Sequence, residues 1–527
     1  MLNRSYVDML LLTGATALTR LIFRSHGLYD LDSLGFALGV EHFDPRVYQP
    51  HPPGYFLYCC LGKIIHAVIP DVNLALVLLS ILASCGAVVL IYQLALEWFG
   101  IRGARYAGLI FLFSPLGWFH GTVALTYIVE AFFSALTGWL CWRIQSGRFG
   151  FILPASVVLA IAAGVRPSSL LLLGPLFLYS LRKAGWKRTT MAAGALLLVL
   201  LAWFVPMIVA SGGASRYFGA LLSLWKMVPS KNTVFNSNPA TSIARAATIV
   251  FILALSFGSA LLAALWRSQT AMPAQPEKRR FTLVWIGPAV LFFTFIYLKF
   301  VNSGYLLILV APLSVWLGVW VAGWYANARW PQSWKAWVVG AGVLANCAVF
   351  LWSPFYCSYR SVRRHEAELA NVERAVPALG SAADTLIVGF DSHFLGYREA
   401  GYSLPGYLTI EYPEVKLLEG TRIFAIEGRQ TQLLTGIPSR CYTHFLLFPL
   451  PGDEPENREY LRKVVALLPP GDLHTVPVAG HDFVTAPIAD LPLLFPAMTG
   501  GVSGVRQSAN RSVYSRVHPL GMVLPTH

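Results

Sequence analysis

Residues 48–58 read YQPHPPGYFLY, and this short stretch decides how the rest of the chain is laid out. Pro50, Pro52 and Pro53 have no amide N–H, and each drives the residue before it out of the helical region. Such a stretch cannot lie inside a membrane helix. Yet it interrupts a chain that is built for membranes: 56% of the 527 residues are hydrophobic and 13% are charged, against about 25% charged in a soluble domain. A stiff, polar-tipped turn after the first apolar segment therefore reads as part of a loop outside the bilayer.

Working outward, apolar runs long enough to cross a bilayer lie near 7–23, 72–98, 104–119, 122–142, 190–210, 242–266, 281–298, 304–324 and 336–353. A further apolar stretch, 149–181, is interrupted by GVRPSS and flanked on both sides by basic segments. One straight helix there would reach roughly 45 Å, too long for one crossing. The stretch must go out and return, turning at Arg166-Pro167. This predicts about eleven crossings, with the basic clusters Arg102/Arg105, Arg143/Arg148, 182–188, 278–280 and Arg329/Lys335 on one side, inside, with the N-terminus. The net charge of +14 is accounted for by this asymmetry, so it speaks against nucleic-acid binding. The opposite side carries 24–54, 211–241, a turn at 299–303 and everything after 353. The apolar piece 55–69 is short, and with Lys63 and His66 it reads as a helix lying in the interface. The N-terminal segment shows no small-residue cleavage site and reads as a retained first span.

After residue 353 the pattern changes. SVRRHEAELANVERAV and ENREYLRKVVALL have helical periodicity, while DTLIVGF, RIFAIEG and THFLLFPL read as short buried strands. The expected architecture is thus a polytopic α-helical membrane domain, 1–353, whose first outer loop spans 24–71. A C-terminal extracytoplasmic α/β domain, 354–527, follows it. Seven cysteines include no CxxC pair. Cys357 and Cys441 fall in the tail and could pair in an oxidising compartment, a point the sequence leaves open.

The first outer loop gathers Asp30, Asp32, Glu41 and Asp44 in an acid-poor chain. A carboxylate against an apolar wall can serve as a general base, because partial burial tunes its proton affinity. Asp32, followed by Ser33 and an apolar run leading to HPPGY, is the candidate. Glu41 and Asp44 read as solvated loop residues.

The combination LDSLGFALGVEHF…HPPGYFLYCCLGKI, followed by a long apolar helix, resembles the first outer loop of GT-C glycosyltransferases. The resemblance covers about the first 145 residues and is to the protein O-mannosyltransferase-like (family 39) and aminoarabinose-transferase-like branches. It implies a multi-pass enzyme of the bacterial inner or plasma membrane that uses a polyprenyl-phosphate sugar, with Asp32 as the catalytic aspartate. The acceptor would be a glycan, lipid or protein outside the cytoplasm. GT-C enzymes often carry a second acid after the next outer turn; here Thr126-Tyr127 stands in that place and the acid, Glu130, comes three residues after Tyr127. KFVNSGYLLILVAP is similar to a late GT-C segment written with Arg-Tyr, but Gly304 replaces the arginine before Tyr305.

Arg166, at the outer turn, is placed to hold a lipid phosphate, or else to snorkel to the headgroups. Arg216, Lys226 and Lys231, among aromatics in the second long outer loop, suit anionic headgroups. The substrate-contacting set expected around Asp32 is Asp30, His51, Tyr55, Glu130, Arg166, Lys226 and Tyr305. HEAEL at His365 lacks the second histidine of a zinc-protease motif, since Leu369 stands there. No cofactor or metal-ligand motif is identified, and a divalent metal is left open. The function expected is inverting transfer of a lipid-linked sugar. The alternatives are a transporter or lipid flippase, whose mark would be paired broken helices, and a non-catalytic scaffold whose tail binds a partner. Only one such break, at Arg166-Pro167, occurs. GFDSHFLGYREAGYSLPGY could form a glycan-binding surface or simply the loops of the α/β core.

Overall fold

A computed structural model describes residues 2–495 except 228–232, 236–237, 266–274, 299, 327–330, 354–356, 391–395, 413–422, 435–441, 449–461, 463 and 479–480. The first part of the chain is helical. The helices are α1 (Leu2–Ile22), α2 (Leu31–Glu41), α3 (Phe56–His66), α4 (Val72–Leu112), α5 (Pro115–His120), α6 (Tyr127–Gln145), α7 (Ile152–Val165) and α8 (Ser168–Leu181). After them come α9 (Trp186–Ala210), α10 (Ala214–Met227), α11 (Pro239–Leu265), α12 (Pro276–Phe295), α13 (Val310–Ala326) and α14 (Gln332–Trp352). A 3₁₀ stretch, Phe300–Leu309, leads into α13.

Five apolar segments among the described residues have the length and composition to cross a membrane: Val72–Leu112, Trp186–Ala210, Pro239–Gly258, Ser303–Ala326 and Gln332–Trp352. Three shorter apolar helices, Phe56–His66, Phe149–Val165 and Ser168–Leu181, accompany them. At 11 residues, α3 is too short to cross, as its sequence suggested. The apolar stretch 149–181 is two helices, because Arg166 immediately precedes Pro167 and is extended (φ −149°, ψ 106°), which ends α7. The runs 72–98 and 104–119 are separate helices within α4: they meet at Gly100, with φ 78° and ψ −178°, and run back past each other, so that Tyr92 and Arg105 both reach Asp8 of α1. That conformation is open to glycine and costly for other residues. α4 lies at the centre of the helical body, packed against α1, α6 and α13.

The tail opens with α15 (Tyr359–Leu379), capped by Ser358, whose hydroxyl and that of Ser361 bond reciprocally to backbone N–H groups. Seven strands follow: β1 (Thr385–Gly389), β2 (Thr409–Glu411), β3 (Ile423–Glu427), β4 (Gln430–Leu434), β5 (His444–Leu447), β6 (His474–Val478) and β7 (His481–Pro487). They form one sheet in the order β4-β3-β2-β1-β5-β7-β6. β1 pairs in parallel with β2 and β5, and the outer pairs are antiparallel. Every residue of β1, TLIVG, is buried, as a central strand covered on both faces must be. α16 (Tyr397–Ser403) packs across β1–β3. Most of ENREYLRKVVALL and all of Cys441 lie outside the described residues. Cys357 is half-buried, with Sγ 2.8 Å from Ser303 Oγ.

The tail sits on the segment between α1 and α3. Glu366 accepts hydrogen bonds from the backbone of His26 (2.6 Å) and Gly27 (3.3 Å), and Arg363 donates to the carbonyl of Arg24 (2.7 Å). Tyr29 donates to Ser361 (2.9 Å), and a buried His365–Glu399 pair at 3.3 Å lies beside it. Of the stretch 389–407, residues 391–395 lie outside the described residues; Tyr397–Gly401 are buried, Tyr402 and Ser403 half-buried, and Pro405 and Gly406 exposed. Its buried helical part packs on the sheet.

Candidate active site

The site has two halves joined by one tyrosine. The outer half starts where α2 starts. Asp30 is the N-cap, and its carboxylate accepts the Asp32 N–H at 2.8 Å, satisfying an orphan donor of the first turn. Asp32, one residue inside the helix, keeps its carboxylate free of that duty and 28% exposed. His51 Nδ1 is 3.4 Å from Asp32 Oδ1, and His51 Nε2 is 3.2 Å from the Tyr55 hydroxyl.

The proline turn makes this meeting happen. Tyr48 (φ 61°), Gly54 (φ 106°) and Tyr55 (φ 46°) are left-handed, and the peptide bonds before Pro50 and Pro53 are cis. A backbone bridge between Asp44 and Gln49 (2.7 and 3.0 Å) closes the turn, and the Asp44 carboxylate is consumed by Arg46. α2 presents a glycine to the turn: a Cβ at Gly39 would lie 2.7 Å from Pro50 Cδ, so only glycine allows this approach. Burial pulls the His51 imidazole below the ordinary histidine range; Asp32 opposes this, and the charges of Arg166 and Arg398 add to it. A neutral imidazole fits both neighbours, with Nδ1–H toward the carboxylate and Nε2 accepting the Tyr55 O–H.

The inner half centres on Arg166, 3% exposed. Its Nε lies 3.1 Å from Glu130 Oε2, and its terminal nitrogen donates to Thr126 Oγ1 at 2.7 Å. Glu130 in turn accepts from Ser169 (3.0 Å) and Ser168 (3.3 Å), the two residues that open α8. The guanidinium lies 4.3 Å from the ring of Tyr127, 4.5 Å from Tyr305 and 5.9 Å from Tyr55. Tyr55 thus touches His51 with its hydroxyl and Arg166 with its ring, linking the halves.

The structure therefore brings together Asp32, His51, Tyr55, Glu130, Arg166 and Tyr305 from segments far apart in sequence. Asp30 serves α2 as its cap. Lys226 is exposed in the last turn of α10, and Lys231 lies outside the described residues. Glu130 is bound to Arg166, so its immediate partner is protein. Gly304 has a packing reason: a Cβ there would lie 2.4 Å from Tyr127 Cγ and 2.7 Å from His120 Cε1. An arginine has no room before Tyr305. Thr126, His120, Ser168, Ser169 and Arg398 were not picked out from the sequence. His120 is buried, and neither ring nitrogen has a hydrogen-bond partner among the described residues. Only the serines carried a signal, lying directly after Arg166-Pro167. Among the described residues no group of three His, Cys, Asp or Glu side chains is arranged to hold a metal ion.

Residues 46–190 match a family model described as the Protein O-mannosyl-transferase TMEM260 N-terminal domain. That segment contains His51, Tyr55, Glu130 and Arg166. No curated protein matches the sequence. Among solved structures, ArnT from Cupriavidus metallidurans in the apo state has a TM-score of 0.56 at 12% identity, covering 92% of this chain and 98% of its own. ArnT bound to undecaprenyl phosphate gives 0.55 at 13% identity, covering 91% and 97%. The chain resembles GT-C glycosyltransferases in fold over nearly its whole length, and with its apolar helices it is an integral membrane protein.

Proposed function

We propose that the protein transfers a sugar from a polyprenyl-phosphate donor to an acceptor hydroxyl outside the cytoplasm, by single displacement with inversion. The observation that carries the reading is the pairing of a partly exposed carboxylate, Asp32, held by His51, with a buried cation walled by tyrosines one residue away through Tyr55. The donor enters from the outer leaflet. The acceptor oxygen attacks the anomeric carbon while its proton passes to Asp32. As the new C–O bond forms, the bond from that carbon to the phosphate oxygen breaks, and its electron pair leaves on the lipid phosphate. Arg166 stabilises that phosphate, sharing its charge with Glu130. Tyr55, Tyr127 and Tyr305 wall the sugar and exclude water. ArnT's structure with undecaprenyl phosphate supports a donor of this chemical type, and the match over 46–190 makes mannose the first sugar to try.

This reading puts the tail and the first outer loop on the extracytoplasmic side. Cysteine labelling of intact cells should reach the tail and not residues 182–188. The test of function is incubation of purified protein with a panel of polyprenyl-phosphate sugars, with and without magnesium or manganese, scoring release of polyprenyl phosphate. Release that needs Asp32 supports the reading. Silence with every donor, from folded protein, sinks it.

A further inference from the structure

The tail touches the first outer loop in two places of different character. Glu366, Arg363 and Ser361 hold residues 24–29, ahead of α2. A second set grips the turn just before His51. There the Gln49 amide oxygen accepts from the Thr431 hydroxyl and N–H, 2.8 Å each, and its nitrogen donates to the carbonyl of His42 at 3.1 Å. Arg398 of α16 is 4% exposed, with its guanidinium 5.1 Å from the ring of Tyr48, 5.2 Å from Tyr397 and 5.4 Å from Phe424. It also donates to the carbonyl of Val47 at 3.5 Å.

Burying a guanidinium is costly unless its charge is met, and much of what meets it here belongs to the turn itself. Tyr48 is the left-handed, non-glycine residue that starts the turn (φ 61°), and its ring stands edge-on to Phe424 of β3 at 5.6 Å. A sparsely populated backbone conformation persists only where the surroundings fix it. Three residues further on is His51, facing Asp32.

We propose that Arg398 is a positioning residue of the active site: by clamping Tyr48 and the Val47 carbonyl, it sets the proline turn so that His51 meets Asp32. The tail is then part of the catalytic apparatus, since the groups that aim the base come from some 350 residues downstream. The proposal rests on the reading of Asp32 as the base. Its geometric half stands without that reading, because the His51–Asp32 contact can be followed directly. His51 is faced by Asp32 from α2, Arg166 from the α7–α8 turn, Arg398 from α16 and the Tyr55 hydroxyl from its own segment. Loss of Arg398 removes one of the two cations that hold the imidazole neutral, and frees the turn.

The experiment compares full-length Arg398→Met, Arg398→Lys, Tyr48→Leu and Gln430→Ala. Gln430 is the control, since it reaches His42 on the far side of the same interface at 3.1 Å. Two quantities are read. One is transfer with undecaprenyl phosphomannose. The other is the titration midpoint of His51, from ring-labelled histidine NMR assigned against His51→Asn. Arg398→Met should lower kcat about 10–100-fold, the size of a small misplacement of a catalytic group, with donor KM little changed, and should move the His51 midpoint upward. Arg398→Lys should restore most of both. Tyr48→Leu should lower kcat and add little in the Met background, because the two act in series. Gln430→Ala should change neither.

Unchanged kcat and midpoint in Arg398→Met overturn the proposal, as does an equal loss in Gln430→Ala, which would make general docking the cause. Should Arg398→Met fail to fold, Tyr48→Leu carries the same two measurements, and unchanged values there overturn the proposal equally. If the parent protein transfers no sugar but the midpoint still moves, the positioning role stands and the glycosyltransferase reading falls. If the parent is active and neither quantity moves, only the positioning role falls.

Discussion

Two histidines of this protein face a carboxylate at nearly the same distance, in two regions with different tasks. In the candidate active site His51 stands 3.4 Å from Asp32, and where the tail meets residues 24–29 His365 stands 3.3 Å from Glu399. Burial disfavours the charged imidazole in both places. Around His51, two arginines reinforce burial and Asp32 does not outweigh them, so the imidazole is held below the ordinary range. Around His365, Glu399, Glu368 and the Leu28 backbone outweigh burial, and the imidazole is held above it. Exposure differs as well: His51 and Asp32 keep 23% and 28% of their side-chain surface, while His365 and Glu399 keep 4% each. A neutral histidine beside a partly wet carboxylate leaves that carboxylate able to take a proton. A charged histidine beside a dry carboxylate forms a closed ion pair, which serves to hold two parts of the chain together.

The largest effect should come from breaking the open pair. Asp32→Asn keeps shape but cannot accept a proton, so transfer should fall about 100- to 10,000-fold with folding intact. Release of polyprenyl phosphate at saturating donor measures it. Parental activity in this variant, beside a dead Glu399 variant, would exchange the roles assigned to the two carboxylates.

Breaking the closed pair comes next. Glu399→Leu strands a buried imidazole, a loss of about 3–5 kcal/mol in stability by the usual cost of orphaning one member of a buried pair. Thermal unfolding should show it, while transfer at temperatures where the protein remains folded changes far less than in Asp32→Asn. The double variant with His365→Leu should recover much of the stability, since the pair is then removed as a unit.

The two pairs should also respond to pH in opposite senses. A histidine held low contributes stability that is present above the ordinary histidine pKa of about 6.5 and is lost as pH falls through its lowered value. The part of the acid limb set by His51 should thus lie below the ordinary histidine range and be lost in His51→Asn, leaving the loss that protonation of Asp32 itself brings. A histidine held high contributes stability present below about 6.5 and lost as pH rises through its raised value. Unfolding followed at rising pH should reveal that loss, and His365→Leu should abolish it. Equal pH profiles for the two variants would dissolve the distinction.

The smallest effect separates Asp32 from its neighbour. Asp30→Ala removes the α2 cap and should cost about 1 kcal/mol of stability, while Asp30→Asn, itself a good cap, should be nearly silent. Transfer should drop by no more than a few-fold in either, against the much larger loss at position 32.

Much of this was legible in the sequence because it depends on local chemistry. A proline alone does not end a helix, since Pro175, Pro206, Pro288 and Pro377 lie inside helices here. It was Pro167 in an over-long apolar stretch with basic flanks that marked the break, and a run such as 72–98 is apolar whatever surrounds it. Thr385–Gly389 could be read as a buried strand from five consecutive residues. Glu130 was visible as an acid in an apolar helix, but its partner was not. The ion pair with Arg166 depends on α6 lying against the α7–α8 turn, and no spacing within either segment encodes that. The reversal at Gly100 was legible as the gap between the runs 72–98 and 104–119, but the left-handed conformation that makes it was not, since a glycine permits a kink or a loop equally.

By itself, then, the sequence determined the membrane character of the chain, the turn of prolines after the first apolar segment and the α/β tail. These follow from hydrophobicity, proline stereochemistry and strand patterning, which act over a few residues. Only the tertiary structure decided that Asp32 faces His51, that Tyr305 and Tyr127 enclose Arg166, and that Arg398 of the tail grips Tyr48. Those outcomes rest on which distant segments share one buried volume. Charge and desolvation act there across a few ångströms between residues that the chain holds tens to hundreds of positions apart.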